Sequence, residues 1–237
     1  MTSKQIILKL KKELTKHADE EYKQGAENFF KEPVKFIGAT LPTQRKIARD
    51  FFKHVKHLNK KQLLALAEQM LKTGYFDLGT IAFEWVNRHR KDFAESDFKI
   101  FESWMKKYIN NWAWCDDFCN HTLGYFIVEY PEFIKNLKKW TRSPNRWLRR
   151  GAAVTFVLPA RKGQFLKPIL EIAAILLQDK DDLVQKGYGW MLKETSKKHT
   201  KKIFNFVMEN KNKMPRTALR YAIERYPQAK RKLAMKK

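Results

Sequence analysis

Apolar residues recur along this chain every third or fourth position. The run Leu63-Leu64-Ala65-Leu66-Ala67 through Met70-Leu71 shows the spacing, and so do Ile81, Phe83 and Val86. That period lays a stripe down one side of an α-helix, whereas strands would alternate in twos. Strand-like alternation flanked by turn pairs is absent. Breaks fall at Pro33, Pro42, Asn59, Gly74, Asn110, Pro131, Pro144, Gly163, Asp179, His199, Pro215 and Pro227. They divide the sequence into roughly a dozen helices, most of them about 10–20 residues long.

A faint internal echo adds to the pattern. Trp147-Leu-Arg-Arg150-Gly151-Ala-Ala153 resembles Leu183-Val-Gln-Lys186-Gly187-Tyr-Gly189, shifted by 36 residues. Each is followed by an apolar run and then a basic pair, Arg161-Lys162 or Lys197-Lys198. A repeat of this length fits helical hairpins of the HEAT or armadillo type, in which one helix of each pair lines a concave face. The expected fold is therefore all-α: HEAT-like helical-hairpin repeats forming a curved α-solenoid with a basic concave face. The small residues of the echo serve helix packing on this reading, and a close-lying ligand backbone is the less common use. With short loops and no Gly/Ser or Pro-rich linker, one domain over residues 1–237 is expected, its first 28 residues acting as N-terminal capping helices.

Charge changes the picture most. The chain carries 49 Lys and Arg against 25 Asp and Glu, a formal net charge of +24, spread over its whole length. An extended electropositive surface points to a polyanionic partner. With 43% apolar and 14% aromatic residues, the chain is folded and not a basic tail. A secretory signal is not visible, and the longest apolar run, Ile169 to Leu177, contains Glu171 and is far too short to span a bilayer. A cytoplasmic protein without a membrane partner is expected.

Against that background Asn110-Asn111-Trp112-Ala113-Trp114-Cys115-Asp116-Asp117 stands out, with two acids beside two indoles. On a helix Trp112 and Asp116 share a face. The ordinary role for the acids is the first turn of a helix, favoured by ~0.3–1 kcal/mol at its positive end. The alternative is that one faces DNA, where a carboxylate near a sugar C1′ can stabilise an oxocarbenium-like transition state. Seven tryptophans are many, and most belong in a core. An exposed indole can hold a cation for ~0.5–2 kcal/mol. An alkylated purine is such a cation and leaves without a general acid.

Other chemistry finds little support. Dinucleotide, P-loop, zinc-protease and serine-hydrolase signatures are all missing. A lysine nucleophile stays open, because lysines are everywhere and none is singled out. Cys115, Cys119 and His121 resemble a metal site only loosely. Buried thiols are the commoner reading, so no metal and no cofactor are expected.

These motifs resemble the AlkD family of alkylpurine DNA glycosylases from about Phe29 to about Lys230. The marks are Phe36-Ile-Gly-Ala-Thr-Leu-Pro42 followed by Arg45; Trp112-x-x-x-Asp116 followed by Leu123-Gly124; Asn145-x-Trp147-Leu-x-Arg150-x-Ala152; and Val184-Gln-Lys186-x-x-Gly189-Trp190-x-Leu192-Lys193-Glu194. Each is weak alone, and together their order is fairly specific. The resemblance implies a catalytic set of Trp112, Trp190 and Asp116, with Arg150 on the DNA backbone. Lys186, Lys193, Arg45, Thr40 and Phe29 fall at its DNA-binding positions. Two departures stand out: Phe29 lacks an expected aromatic hydroxyl and Thr40 an expected amide. The implied activity is hydrolysis of cationic N3- or N7-alkylpurines from duplex DNA by a monomer, without a base flipped into a pocket. The alternatives are a non-catalytic HEAT-repeat binder of bent, branched or damaged DNA, and a protein-binding array, which the charge disfavours.

Overall fold

A computed structural model describes residues 1–236, and these divide into two compact units, Met1–Asp117 and the remainder from Phe118. The first holds α1 (Ser3–Lys16), α2 (Glu20–Phe29), α3 (Leu41–Phe52), α4 (Lys60–Lys72), α5 (Phe76–Arg88), α6 (Asp97–Lys107) and α7 (Trp112–Asp117). The second opens with a π-helical segment, Phe118–Leu123. It continues through α8 (Gly124–Glu129), α9 (Ile134–Trp140), α10 (Arg146–Val154), α11 (Val157–Arg161) and α12 (Leu166–Leu176). Then come α13 (Asp182–Thr195), α14 (Thr200–Asn210), α15 (Arg216–Ile223) and α16 (Gln228–Met235). Among the described residues no strand forms, and β-pairing is limited to the bridges Ala18–Ala39 and Lys35–Tyr75. The all-α expectation holds.

The helices begin where the sequence supplies acceptors for their unpaired amides. Thr2 and Asn59 form capping boxes with Gln5 and Gln62 at α1 and α4. Asp19, Asn145 and Asp181 cap α2, α10 and α13. Pro42 is no break: it lies in the first turn of α3, where proline's missing N–H costs nothing. The helices outnumber the expectation because several stretches between breaks hold more than one: α1 and α2, α5 and α6, α10 and α11, and the run from Trp112 to Glu129, which splits into α, π and α segments. Several are also shorter than expected, α11 having only five residues.

Hairpin stacking builds each core. In the first unit Ile6, Leu10 and Leu14 form a stripe at four-residue spacing that buries α1 against α3, α4 and α5. These residues belong to the core. In the second unit α12 pairs with α13 and α14 with α15, while α10, α13 and α15 lie side by side in that order. The echo is thus physical, since α10 and α13 carry it and pack together. A Cβ at Gly187 would stand 3.2 Å from Arg150 Cγ, and one at Gly189 would stand 2.7 Å from Tyr221 Cβ on α15. Both glycines serve close helix packing.

Candidate active site

The Trp/Asp motif forms α7. Asn111 starts it, its Oδ1 accepting the Trp114 N–H at 2.9 Å. One face of α7 turns inward: Trp114 and Cys115 are buried. The Trp114 ring lies over Gly79 of α5, its Nε1–H donates to the Phe76 carbonyl at 3.2 Å, and Phe83 meets it edge-on at 5.8 Å. The other face keeps Trp112, Ala113, Asp116 and Asp117 half-buried. Trp112 and Asp116 therefore share the accessible side of one helix. The two acids do not sit in a first turn, as the ordinary reading held; they end α7. The positive helix pole thus gives no reason for either to be there. Directly after them the backbone widens into the π-helix, a form concentrated at functional sites. Inside it the buried Asn120 Oδ1 and Thr122 Oγ1 accept and donate no hydrogen bond.

Trp112 is embedded in aromatic rings. Phe30 stacks on it at 5.4 Å and 21°, and Phe29 meets it edge-on at 5.8 Å. Phe29 is 70% exposed, an unusual position for a large apolar ring. These rings, with Tyr22, Phe36 and Phe76, line an open groove of about 750 Å³ that Asp19 and Glu21 also border. Aromatic faces beside carboxylates favour a cation.

The loop leading to α3 is held by a residue that the sequence did not single out. Asp77, wholly buried, accepts the Ile37 N–H at 2.7 Å and the Gln44 Nε2–H at 3.1 Å; Gln44 also donates to the Ala39 carbonyl at 2.7 Å. Burial pushes the Asp77 carboxyl above its ordinary range, and the amides of Ile37, Gly38 and Ala39 pull it back. Gly38 adopts φ +119°, which a side chain would strain. The loop ends at Thr40, whose Oγ1 bonds Thr43 Oγ1 at 3.0 Å and not a helix amide. Arg45 follows, exposed on α3.

The other residues named by the resemblance belong to the second unit. Lys186, Trp190 and Lys193 follow one another at four- and three-residue spacing on α13, all partly exposed. Lys186 pairs with Asp182 at 3.1 Å and Lys193 with Glu224 at 3.0 Å. Arg150 is only 5% exposed, and its Nη1 donates to the Leu183 carbonyl. Gly187 leaves room for its stem.

Solvent access sorts the tryptophans. Trp85, Trp104, Trp114, Trp140 and Trp147 are buried, whereas Trp112 and Trp190 are not. The two outside the core are those picked out by the resemblance. Both cysteines are buried and reduced, and among the described residues no three His, Cys, Asp or Glu side chains cluster as metal ligands. Among the described residues no helix is long and apolar enough to cross a membrane.

Curated protein sequences give no match to the chain. The solved structures that share its fold include these two. One is described as "Predicted DNA alkylation repair enzyme from Enterococcus faecalis". It has 14% identity and a TM-score of 0.79, over 90% of this chain and 98% of that one. The other is the Pseudomonas fluorescens alkylpurine DNA glycosylase AlkC bound to DNA containing an abasic site analog. It has 14% identity and a TM-score of 0.53, over 98% of this chain and 66% of that one. The model of one family, DNA alkylation repair enzyme, matches residues 10–226. With that match running through nearly all the helices, the chain belongs to the DNA alkylation repair enzyme family.

Proposed function

We propose that this protein is a monofunctional DNA glycosylase that hydrolyses the N-glycosidic bond of cationic N3- or N7-alkylated purines in duplex DNA. The observation that carries the reading is the outward face of α7: Trp112 and Asp116 stand together on it, in a chain of net charge +24 where an unforced carboxylate would repel DNA.

The chemistry asks little of the protein. The C1′–N bond breaks, its electron pair neutralises the positive purine, and the sugar passes through an oxocarbenium-like state. Water adds to C1′ and loses a proton, leaving an abasic site and a free base. No lysine nucleophile and no general acid is required, because the base departs as a neutral molecule. Asp116 stabilises the sugar cation and orients the water. The family resemblance assigns Trp112 and Trp190 each to the deoxyribose, and the rings around Trp112 favour positive charge. Arg150, its guanidinium fixed by the Leu183 carbonyl, contacts the backbone beside the lesion. Lys186, Lys193, Arg45, Thr40 and Phe29 add contacts along the strand. The enzyme acts as a monomer without a cofactor.

The test is release of free base from a duplex containing 7-methylguanine, run beside a binding assay on the same duplex. Release of 7-methylguanine supports the enzyme. Tight binding without release turns the assignment to a DNA-binding member of the family.

A further inference from the structure

We infer that the groove between α15 and α16 is a second DNA-backbone site, carrying the duplex beyond the lesion. The inference rests on the reading of this protein as a DNA-repair enzyme. The groove measures about 640 Å³ and presents Arg220, Arg231 and Lys232, with Tyr221 and Gln228 beside them. All three cations are exposed and lie outside every ion pair of the described residues. Glu224, the one acid of the groove, is engaged by Lys193 at 3.0 Å.

Composition sharpens the case. From Lys211 to Lys236 the chain holds nine Lys and Arg and a single acid, Glu224. Positive charge gathered around a concavity without internal partners raises the folded state's self-repulsion, and a polyanion relieves it. Phosphodiesters suit the donors present: guanidinium forks from two arginines and an ammonium from Lys232.

Continuity identifies which polyanion. Lys193 stands 5.8 Å over the ring of Tyr221, which lines the groove. Lys193 also ends the α13 face that bears Trp190 and Lys186. A strand passing Trp190 thus meets Lys193, Tyr221 and the groove in succession, all within the second unit. An acidic protein segment would not share that path.

The experiment compares wild type with the triple variant Arg220→Gln, Arg231→Gln, Lys232→Gln, using undamaged duplexes of short and long flank. Each phosphate contact contributes ~0.9 to the slope of log K against log salt, so the triple variant should lose ~2–3 from that slope. Its affinity should also stop rising with flank length, while single-turnover excision at saturating DNA stays at the wild-type rate. An unchanged slope in a variant that melts normally overturns the inference and leaves the glycosylase reading intact. A lowered slope in a protein that releases no base supports the groove and removes the glycosylase. Should the triple variant fail to fold, the single substitutions replace it, each expected to take ~0.9 from the slope; three unchanged slopes overturn the inference.

Discussion

The Trp114 indole lies so close over Gly79 that a methyl group added at Gly79 would fall 2.1 Å from its Cζ2. No side chain larger than hydrogen fits there. The contact seats α7 on α5, and α7 carries Trp112 and Asp116 on its opposite face. Core packing and the candidate site are thus two sides of one six-residue helix.

Gly79→Ala should therefore act on both. Overpacking costs ~1–3 kcal/mol, and a flat ring held by its Nε1–H bond to Phe76 cannot yield easily. Thermal melting should fall by several degrees. Excision should fall as well, at temperatures where the variant is still folded. Wild-type melting would show that Trp114 is free to move.

Glu194 tests the second unit. It is 2% exposed and receives Arg161 Nε at 2.7 Å, Lys197, and Arg225 at 3.6 Å. Burial alone would raise its carboxyl, but hydrogen bonds from Lys197 and Arg161 outweigh this and hold it below the ordinary glutamate value. A depressed folded pKa gives stability that is complete above the unfolded value, ~4.3, and lost as pH falls through the folded one. Glu194→Gln should cost ~1–3 kcal/mol at neutral pH. The gap in melting temperature should close below about pH 4. A gap independent of pH would assign the effect to packing.

Part of this was legible in the sequence, for physical reasons. Helical periodicity and helix-ending residues are local, so the all-α class and the breaks at Asn59 and Gly74 could be read directly. The 36-residue echo falls on α10 and α13, which pack against each other. The π-helix was not legible, since nothing local to Phe118–Leu123 distinguishes it from an α-helix. Asp77 was equally hidden: its partners Ile37 and Gln44 lie 40 and 33 residues away, and only tertiary folding makes them neighbours. The Trp112/Asp116 pair could be found because four residues on a helix is a local distance. The ring of Phe30, Phe36 and Phe76 around it required the fold.

The cysteines give a narrower test. Cys115 and Cys119 are wholly buried, so serine at either place puts a strongly polar hydroxyl, taken out of water, where a weakly polar thiol stood. Cys115→Ser and Cys119→Ser should each cost ~1–3 kcal/mol in melting experiments. Excision by the folded fraction should stay near wild type, and metal analysis should return no stoichiometric zinc. One zinc per chain would mean that the thiols serve a metal.

Asp116 carries the largest consequence. If its charge meets a developing oxocarbenium ion, that charge counts mainly in the transition state. Asp116→Asn should then slow single-turnover excision while leaving melting unchanged. Such electrostatic contacts are worth ~3–4 kcal/mol, on the order of a hundred- to a thousandfold in rate. The loss should be smaller for a purine that already bears positive charge, because its departure needs less help. Affinity for DNA should hold or rise, since a negative charge beside phosphates is removed. The helix-start explanation is closed by the position of Asp116 at the end of α7, so normal excision could not be ascribed to asparagine acting as an equivalent cap. Normal melting with normal excision would mean that the half-buried carboxylate is spectator charge, and the hydrolytic assignment would lose its central residue.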